Sequence, residues 1–292
     1  MTTFALVGGN GYIGRRHAEA IKAVGGEVIA VVDPHDCAGW LDGLGFTKAE
    51  LFPEILSERT WKLADWRDPD YMVILTPNQH HYHHAVMALE HGCDVIVEKP
   101  LALTGKHIVK LTRRMRETDR TVSTILQLRY QAGALAAGQA VDAAFQAGRP
   151  PVRASITYFA HRGAWYVQSW KGDPKRSGGI IFNIGSHPVD LACRIFGRPL
   201  LEAEVIECVK PHHLTIVGMF GETEVTFHLS TASLPVTRAL DIEGVGTFDL
   251  SDSFTNLHIK CYRQIIAGRG PFPDSVKDCL RWCEVVAKEV GL

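Results

Sequence analysis

The chain has 292 residues, 46% hydrophobic and 22% charged, with Lys+Arg 31 against Asp+Glu 32 for a formal net charge of -1. That length suits two domains with sizeable cores and needs no crosslinks. A balanced charge offers no field for nucleic acid or an anionic membrane surface, so any anionic ligand must be held by local cations.

The seven cysteines, at 37, 93, 193, 208, 261, 279 and 283, are scattered and odd in number. They suit a reducing cytoplasm better than a disulfide framework. The chain runs from Met1 straight into an apolar strand, and no apolar run is long enough to cross a bilayer. Neither a signal peptide nor a membrane span is expected.

In chain order, residues 4–7 read as a buried parallel strand, followed by Gly8-Gly9-Asn10-Gly11-Tyr12-Ile13-Gly14, a helical pattern over 15–24 and a second apolar run at 28–32. A G-x-G-x-x-G turn between strand and helix is a dinucleotide-binding arrangement. Gly9 permits the tight turn, Gly11 lets the main chain approach a pyrophosphate, and Gly14 permits close helix packing. The turn, with Tyr12 and Ile13 in it, presents free amides at the helix N-terminus to the anion. Asp33 closes the second strand 24 residues after Gly9. A carboxylate there accepts from a ribose diol and repels a 2'-phosphate, so NAD is expected rather than NADP.

Residues 70–75 read as another buried strand, with Thr76-Pro77-Asn78 as a loop at the same sheet edge and a helix over 79–91. His80 and His84 on that helix have the i, i+4 spacing of a zinc pair, but no carboxylate or cysteine nearby completes a ligand set. The cluster reads as a partly solvated helix face with His81 toward the cofactor, and no metal site is expected.

The strand at 94–97 ends on Glu98-Lys99-Pro100. In open α/β sheets ligands collect beyond the carboxyl ends of strands, which makes Glu98 a cofactor contact and Lys99 an acid/base candidate. The bland alternative is an ion pair closing a strand. A helix over about 104–118, a strand at 121–126 and an alanine-rich helix at 132–148 follow, ending at Gly148-Arg149-Pro150-Pro151.

From Val152 the pattern changes to alternation, with strands expected at 152–158, 204–209, 214–220, 224–229 and 238–243 in a mostly antiparallel sheet with one face covered. Between the first two lies an Asn183-x-Gly185-x-His187-x-x-Asp190 run entering an apolar helix to Phe196. His187 and Asp190 share a helical face, and Asp190 could orient the imidazole. The alternative is an N-cap at Asn183 or Ser186 with His187 as a satisfied polar residue. Two terminal helices, at 255–267 and 275–290, carry no evident catalytic group.

Gly9-x-Gly11-x-x-Gly14, Thr76-Pro77-Asn78 with His81, Glu98-Lys99-Pro100, and Gly178-Gly179 leading to His187-x-x-Asp190 together resemble the Gfo/Idh/MocA family of NAD(P)-dependent oxidoreductases, across nearly the whole chain. Arg162-Gly163-x-Trp165-Tyr166, Ser169-Trp170-Lys171-Gly172, Asn183-Ile184-Gly185-x-His187 and Phe254-Thr255-x-Leu257-His258 are similar to segments of its UDP-N-acetyl-2-amino-2-deoxy-glucuronate dehydrogenases.

The resemblance implies an α/β chain with an N-terminal NAD-binding Rossmann domain over 1–126. It implies a C-terminal α+β substrate and oligomerisation domain, with a mostly antiparallel open sheet, over 127–292. It further implies oxidation of a nucleotide-sugar C3 hydroxyl in bacterial surface-polysaccharide sugar biosynthesis. Lys99 and His187 would flank the reacting carbon, and Arg162, Lys171 and Asn183 would hold the substrate. A homotetramer and 2-oxoglutarate as second oxidant also follow from the resemblance. The competing readings are another sugar or inositol dehydrogenase or ketosugar reductase of the family, and a non-catalytic NAD-responsive regulator. Cations at Arg162 and Lys171 favour a diphosphate substrate over the former. An intact Lys99 and His187 pair argues against the latter.

Overall fold

The computed structural model describes residues 1–52, 69–251 and 256–292. Phe254 and Thr255, quoted above for the resemblance, lie outside the described residues. The chain divides into two compact units. One comprises Met1–Ala102, Lys106–Ile125 and His258–Asp274, the other Leu103–Gly105, Leu126–Leu257 and Ser275–Leu292.

The first unit is built on six strands, β1 (Thr3–Val7), β2 (Glu27–Val32), β3 (Glu50–Phe52), β4 (Tyr71–Ile74), β5 (Asp94–Val97) and β6 (Val122–Thr124). Their order is β3-β2-β1-β4-β5-β6 and every pairing is parallel. Continuous apolar runs are what such a sheet requires, because both faces are covered. Phe4, Ala5 and Leu6 of β1 and Met72, Val73 and Ile74 of β4 are all fully buried. The chain reverses its direction of travel across the sheet between β1 and β4. The loops after these two strands therefore diverge and leave a crevice at their carboxyl ends.

The helix Leu257–Ile266 supplies this unit with buried Cys261, Tyr262 and Ile265. Tyr262 packs edge-on against Phe4 at 5.8 Å. A segment from near the end of the sequence thus completes the core of the unit formed by its beginning.

The second unit holds β7 (Arg153–Phe159), β8 (Glu204–Val209), β9 (His213–Phe220), β10 (Thr223–Ser230), β11 (Arg238–Ile242) and β12 (Gly246–Asp249), in the order β12-β11-β7-β10-β9-β8. The β7 and β10 pair is parallel and the remaining pairs are antiparallel. Alternation explains the covered face. Val225, Phe227 and Leu229 are buried while Glu224, Thr226 and His228, which alternate with them, are not. Trp282 of the helix Pro273–Glu289 packs on that face against Phe220 at 5.2 Å and Phe227 at 5.3 Å. Gly218 leaves room for its indole, since a Cβ there would come within 2.5 Å of the ring.

Strands β3 and β12 are absent from the sequence expectations. Each is short, and neither Glu50-Leu51-Phe52 nor Gly246-Thr247-Phe248-Asp249 carries an apolar run that would mark it. All seven cysteines are free thiols. Among the described residues no helix is long and apolar enough to cross a membrane.

Candidate active site

In the first unit the glycine-rich turn leaves β1 and enters the helix Gly14–Ala23. Gly8, not Gly9, takes the left-handed conformation, with φ +82, and its amide donates to the Val32 carbonyl at 2.7 Å. The tight turn therefore belongs to Gly8. Gly9 is needed for a different reason, because a side chain there would strike Val31. Gly14 serves the expected helix packing, since a Cβ would run into the Gly9 carbonyl, whereas a Cβ on Gly11 would meet nothing closer than 3.7 Å. Space is thus left at Gly11, where a pyrophosphate needs it, while Tyr12 beside it is 78% exposed. The Arg16 guanidinium donates to the Tyr12 hydroxyl at 2.6 Å, and Ile13 is the helix N-cap.

Asp33 braces this turn. One carboxylate oxygen accepts from the Asn10 amide at 2.9 Å and the other from the His35 amide at 2.9 Å. Two amides leave a carboxylate with lone pairs to spare for a ribose diol. The turn, its open glycine and its braced carboxylate fit a dinucleotide.

Beyond β4, the Thr76 hydroxyl lies 3.0 Å from His84 Nδ1, Pro77 accepts from the His80 amide at 2.9 Å, and Asn78 is buried. His81 and His84 are buried, while His80 is half-buried and His83 exposed, so the helix face is solvated only in part. His81 Nδ1 stands 2.7 Å from the Pro100 carbonyl and its Nε2 2.7 Å from that of Thr76. Burial lowers its pKa and outweighs the two carbonyls, and the ring lies between the turn after β4 and the turn after β5.

Glu98 directly follows β5, with its carboxylate among buried side chains of the unit. Oε1 accepts from His17 Nε2 at 3.0 Å, and Oε2 accepts from the Lys99 amide at 3.0 Å. His258 Nε2 lies 3.7 Å from the same Oε1, and His17 Nδ1 is 2.8 Å from the Tyr262 hydroxyl. Burial works to raise the Glu98 pKa, yet His17 and His258 hold it well below the usual carboxylate range. Burial also dominates at His17 and lowers its pKa despite the neighbouring carboxylate.

The ligand atoms of His17, Glu98 and His258 all lie within 4.8 Å of one another. The 3.0 Å contact of His17 with Glu98 is an ordinary hydrogen-bond distance. The sequence places His258 only in a segment that carries the resemblance and does not single out Tyr262, because only the fold brings the Leu257–Ile266 helix to Glu98. Lys99 is half-buried, and its bond to Pro100 is cis.

In the second unit, His187 and Asn183 are buried, 4% and 6% exposed. Asn183 lies in a wide π-type turn, Ile181–Gly185, that runs directly into the helix Ser186–Ile195. Gly185 occupies the cap, so neither Asn183 nor Ser186 is the N-cap. The Asn183 amide donates to the Tyr166 hydroxyl at 2.9 Å, which adds Tyr166 to the site. Burial raises that phenol's pKa, against a smaller opposing pull from Asn183 and Arg162.

Asp190 has a partner that helical spacing did not suggest. Arg129 Nε and Nη2 donate to its two oxygens at 2.7 and 2.5 Å. At Arg129 burial acts to lower the pKa, and Asp190 more than offsets it. Arg162 is exposed and Lys171 half-buried. The Lys171 ammonium stands 5.2 Å over the Trp165 ring and 5.5 Å over Trp170, within cation–π range. With Trp165 48% exposed, this is a cationic aromatic ledge that an anionic ligand with a flat group can meet.

The predicted residues thus fall in two sets. Gly9, Gly11, Tyr12, Ile13, Asp33, Thr76, Pro77, Asn78, His81, Glu98 and Lys99 belong to the first unit, and Arg162, Lys171, Asn183 and His187 to the second.

Residues 2–126 match the model of an oxidoreductase family with an NAD-binding Rossmann fold, and residues 126–230 match the GFO/IDH/MocA C-terminal domain. D-glucoside 3-dehydrogenase of Escherichia coli is 28% identical over 197 residues, 58% of this chain and 50% of that protein. The chain therefore spans about half the length of that curated relative. Among solved structures, the WlbA (WbpB) dehydrogenase from Thermus thermophilus, in complex with NAD and UDP-GlcNAcA, has a TM-score of 0.88 and 33% identity, covering 98% of this chain and 95% of that one. The same dehydrogenase in complex with NAD and alpha-ketoglutarate has a TM-score of 0.88 and 34% identity, with the same coverage.

Proposed function

Because the chain belongs to the Gfo/Idh/MocA oxidoreductase family, with an NAD-binding Rossmann unit, we propose that it oxidises the C3 hydroxyl of a UDP-N-acetylglucosaminuronate-type nucleotide sugar to the 3-keto sugar. The supporting observation is its likeness, at 33% identity over 98% of its length, to a dehydrogenase solved with NAD and UDP-GlcNAcA. When bound, NAD supplies the hydride acceptor.

The residues of this chain have the remaining work. Lys99 and His187 serve the hydroxyl proton: a neutral imidazole or amine takes it, and an ammonium polarises the forming carbonyl oxygen. Asn183, its amide set by Tyr166, is a polar anchor for the sugar. Arg162 and Lys171 counter the diphosphate, with Trp165 and Trp170 beside the lysine.

Reoxidation of retained NAD by 2-oxoglutarate is part of the proposal, on the likeness to the dehydrogenase solved with alpha-ketoglutarate. So are a homotetramer and a place in the cytoplasm, within surface-polysaccharide sugar biosynthesis. A second reading, oxidation of an uncharged glucoside, is favoured by the likeness to D-glucoside 3-dehydrogenase.

One screen separates the two. The purified protein, cleared of bound dinucleotide, is offered NAD with UDP-GlcNAcA, related UDP-uronates or uncharged hexosides, with and without 2-oxoglutarate. Expected are NADH formation with the UDP-uronates and its disappearance when 2-oxoglutarate is added. Turnover of hexosides alone would replace the first reading by the second. Lys99→Ala and His187→Ala should each lower kcat by at least about a hundredfold while NAD titrations stay near wild type, and a variant that keeps wild-type speed loses its assigned role.

A further inference from the structure

The buried chain Tyr262–His17–Glu98 has no part in the chemistry above, yet it ends on the amide of Lys99. With His17 neutral and Glu98 ionised, only one proton arrangement satisfies all of it. Tyr262 donates its O–H to His17 Nδ1 across 2.8 Å, His17 donates its Nε2–H to Glu98 Oε1 across 3.0 Å, and Glu98 Oε2 takes the Lys99 amide at 3.0 Å. The opposite tautomer would turn the imidazole lone pair on the carboxylate.

Tyr262 and His17 are fully buried, so water cannot substitute for a lost member. His258 stands edge-on to His17 at 5.1 Å, with its Nε2 3.7 Å from Glu98 Oε1. On the far side of Lys99, the Pro100 carbonyl lies 2.7 Å from His81. The main chain flanking Lys99 is thus held at both ends by buried side chains. His17 belongs to the helix that opens at the glycine-rich turn, which couples the turn to the strand end carrying Lys99.

We propose that His17 and Tyr262 are positioning residues: through the Glu98 carboxylate they fix the main chain at Lys99 and so set where its ammonium is presented. The inference rests on the reading of Lys99 as a participant in the reaction. Each bond in the relay is directional, so loss of either donor lets the carboxylate rotate and frees the Lys99 amide. Misplacement of a reacting group by about 1 Å costs up to about a hundredfold in rate.

The test uses the full-length, NAD-saturated protein with two readouts. One is kcat and KM with UDP-GlcNAcA. The other is the carbon-13 signal of Lys99 after reductive methylation with labelled formaldehyde, assigned by its loss in Lys99→Arg. His17→Leu removes the relay, and His17→Gln restores a donor toward Glu98. Tyr262→Phe deletes one oxygen and keeps the test open if His17→Leu does not fold. Expected for His17→Leu and Tyr262→Phe are a displaced Lys99 signal and a kcat lowered by about tenfold or more with KM within about twofold, with His17→Gln recovering most of both. An unmoved Lys99 signal overturns the inference whatever turnover does, and so does a moved signal with wild-type kcat. If the wild type does not turn over UDP-GlcNAcA, the functional reading fails while the Lys99 signal still judges the positioning.

Discussion

Arg129 and Asp190 form the most consequential single pair in the second unit, 6% and 2% exposed at the side chain. A fork of two parallel N–H donors on a carboxylate is the strong form of this interaction, and neither charge has water to fall back on. Arg129→Met should cost about 3–5 kcal/mol in urea unfolding, because it strands Asp190. The double variant Arg129→Met with Asp190→Leu should recover most of that loss. A single variant as stable as wild type would show that the pair carries no such weight. The pairing was not legible in the sequence. Asp190 lies three residues from His187, which made an imidazole partner visible on one helical face, whereas Arg129 is 61 positions away. The same limit hid Tyr262, separated from His17 by 245 positions. The place of Lys99 just beyond β5 was legible because a strand end, a charged pair and a proline are contiguous.

The elements were read most reliably where burial enforces a pattern. Continuous apolar runs at β1, β2, β4 and β5 and alternation at β7 and β9 to β11 follow from sheets covered on two faces and on one face. Polar or very short β3 and β12 lack any such constraint and owe their existence to a neighbour's open edge. The glycine-rich turn shows both outcomes. Its place between strand and helix was plain, but the left-handed residue is Gly8, one position earlier than expected, a matter that spacing does not decide.

The turn also separates packing from ligand access. Gly14→Ala drives a methyl into the Gly9 carbonyl and should destabilise the protein by about 1–3 kcal/mol as well as weaken NAD. Gly11→Ala meets nothing within 3.7 Å, so its melting temperature should match wild type while NAD affinity falls. Equal effects of the two on melting temperature would contradict this division.

Across the whole molecule, three buried histidines, His17, His81 and His84, have pKa values lowered chiefly by burial, His84 to about 4. Each is neutral when folded and takes up a proton on unfolding once pH drops below about 6.5. Stability is therefore complete above that pH and is lost as pH falls toward 4, with His84 alone accounting for about 3 kcal/mol. Glu98, held ionised in the fold, adds a loss at still lower pH. Urea titrations from pH 7 to pH 4.5 should show this decline, and His84→Gln should flatten it. An unchanged slope would assign the acid sensitivity elsewhere.

The helix Leu257–Ile266 is sequence-distant from the unit whose interior it completes. During synthesis, the nucleotide-binding half must therefore wait for almost the entire polypeptide to leave the ribosome before Tyr262 and His258 can reach Glu98. A nascent chain stalled earlier carries a raw, half-covered carboxylate and an unfilled groove beside β1, a state that invites chaperones and proteases.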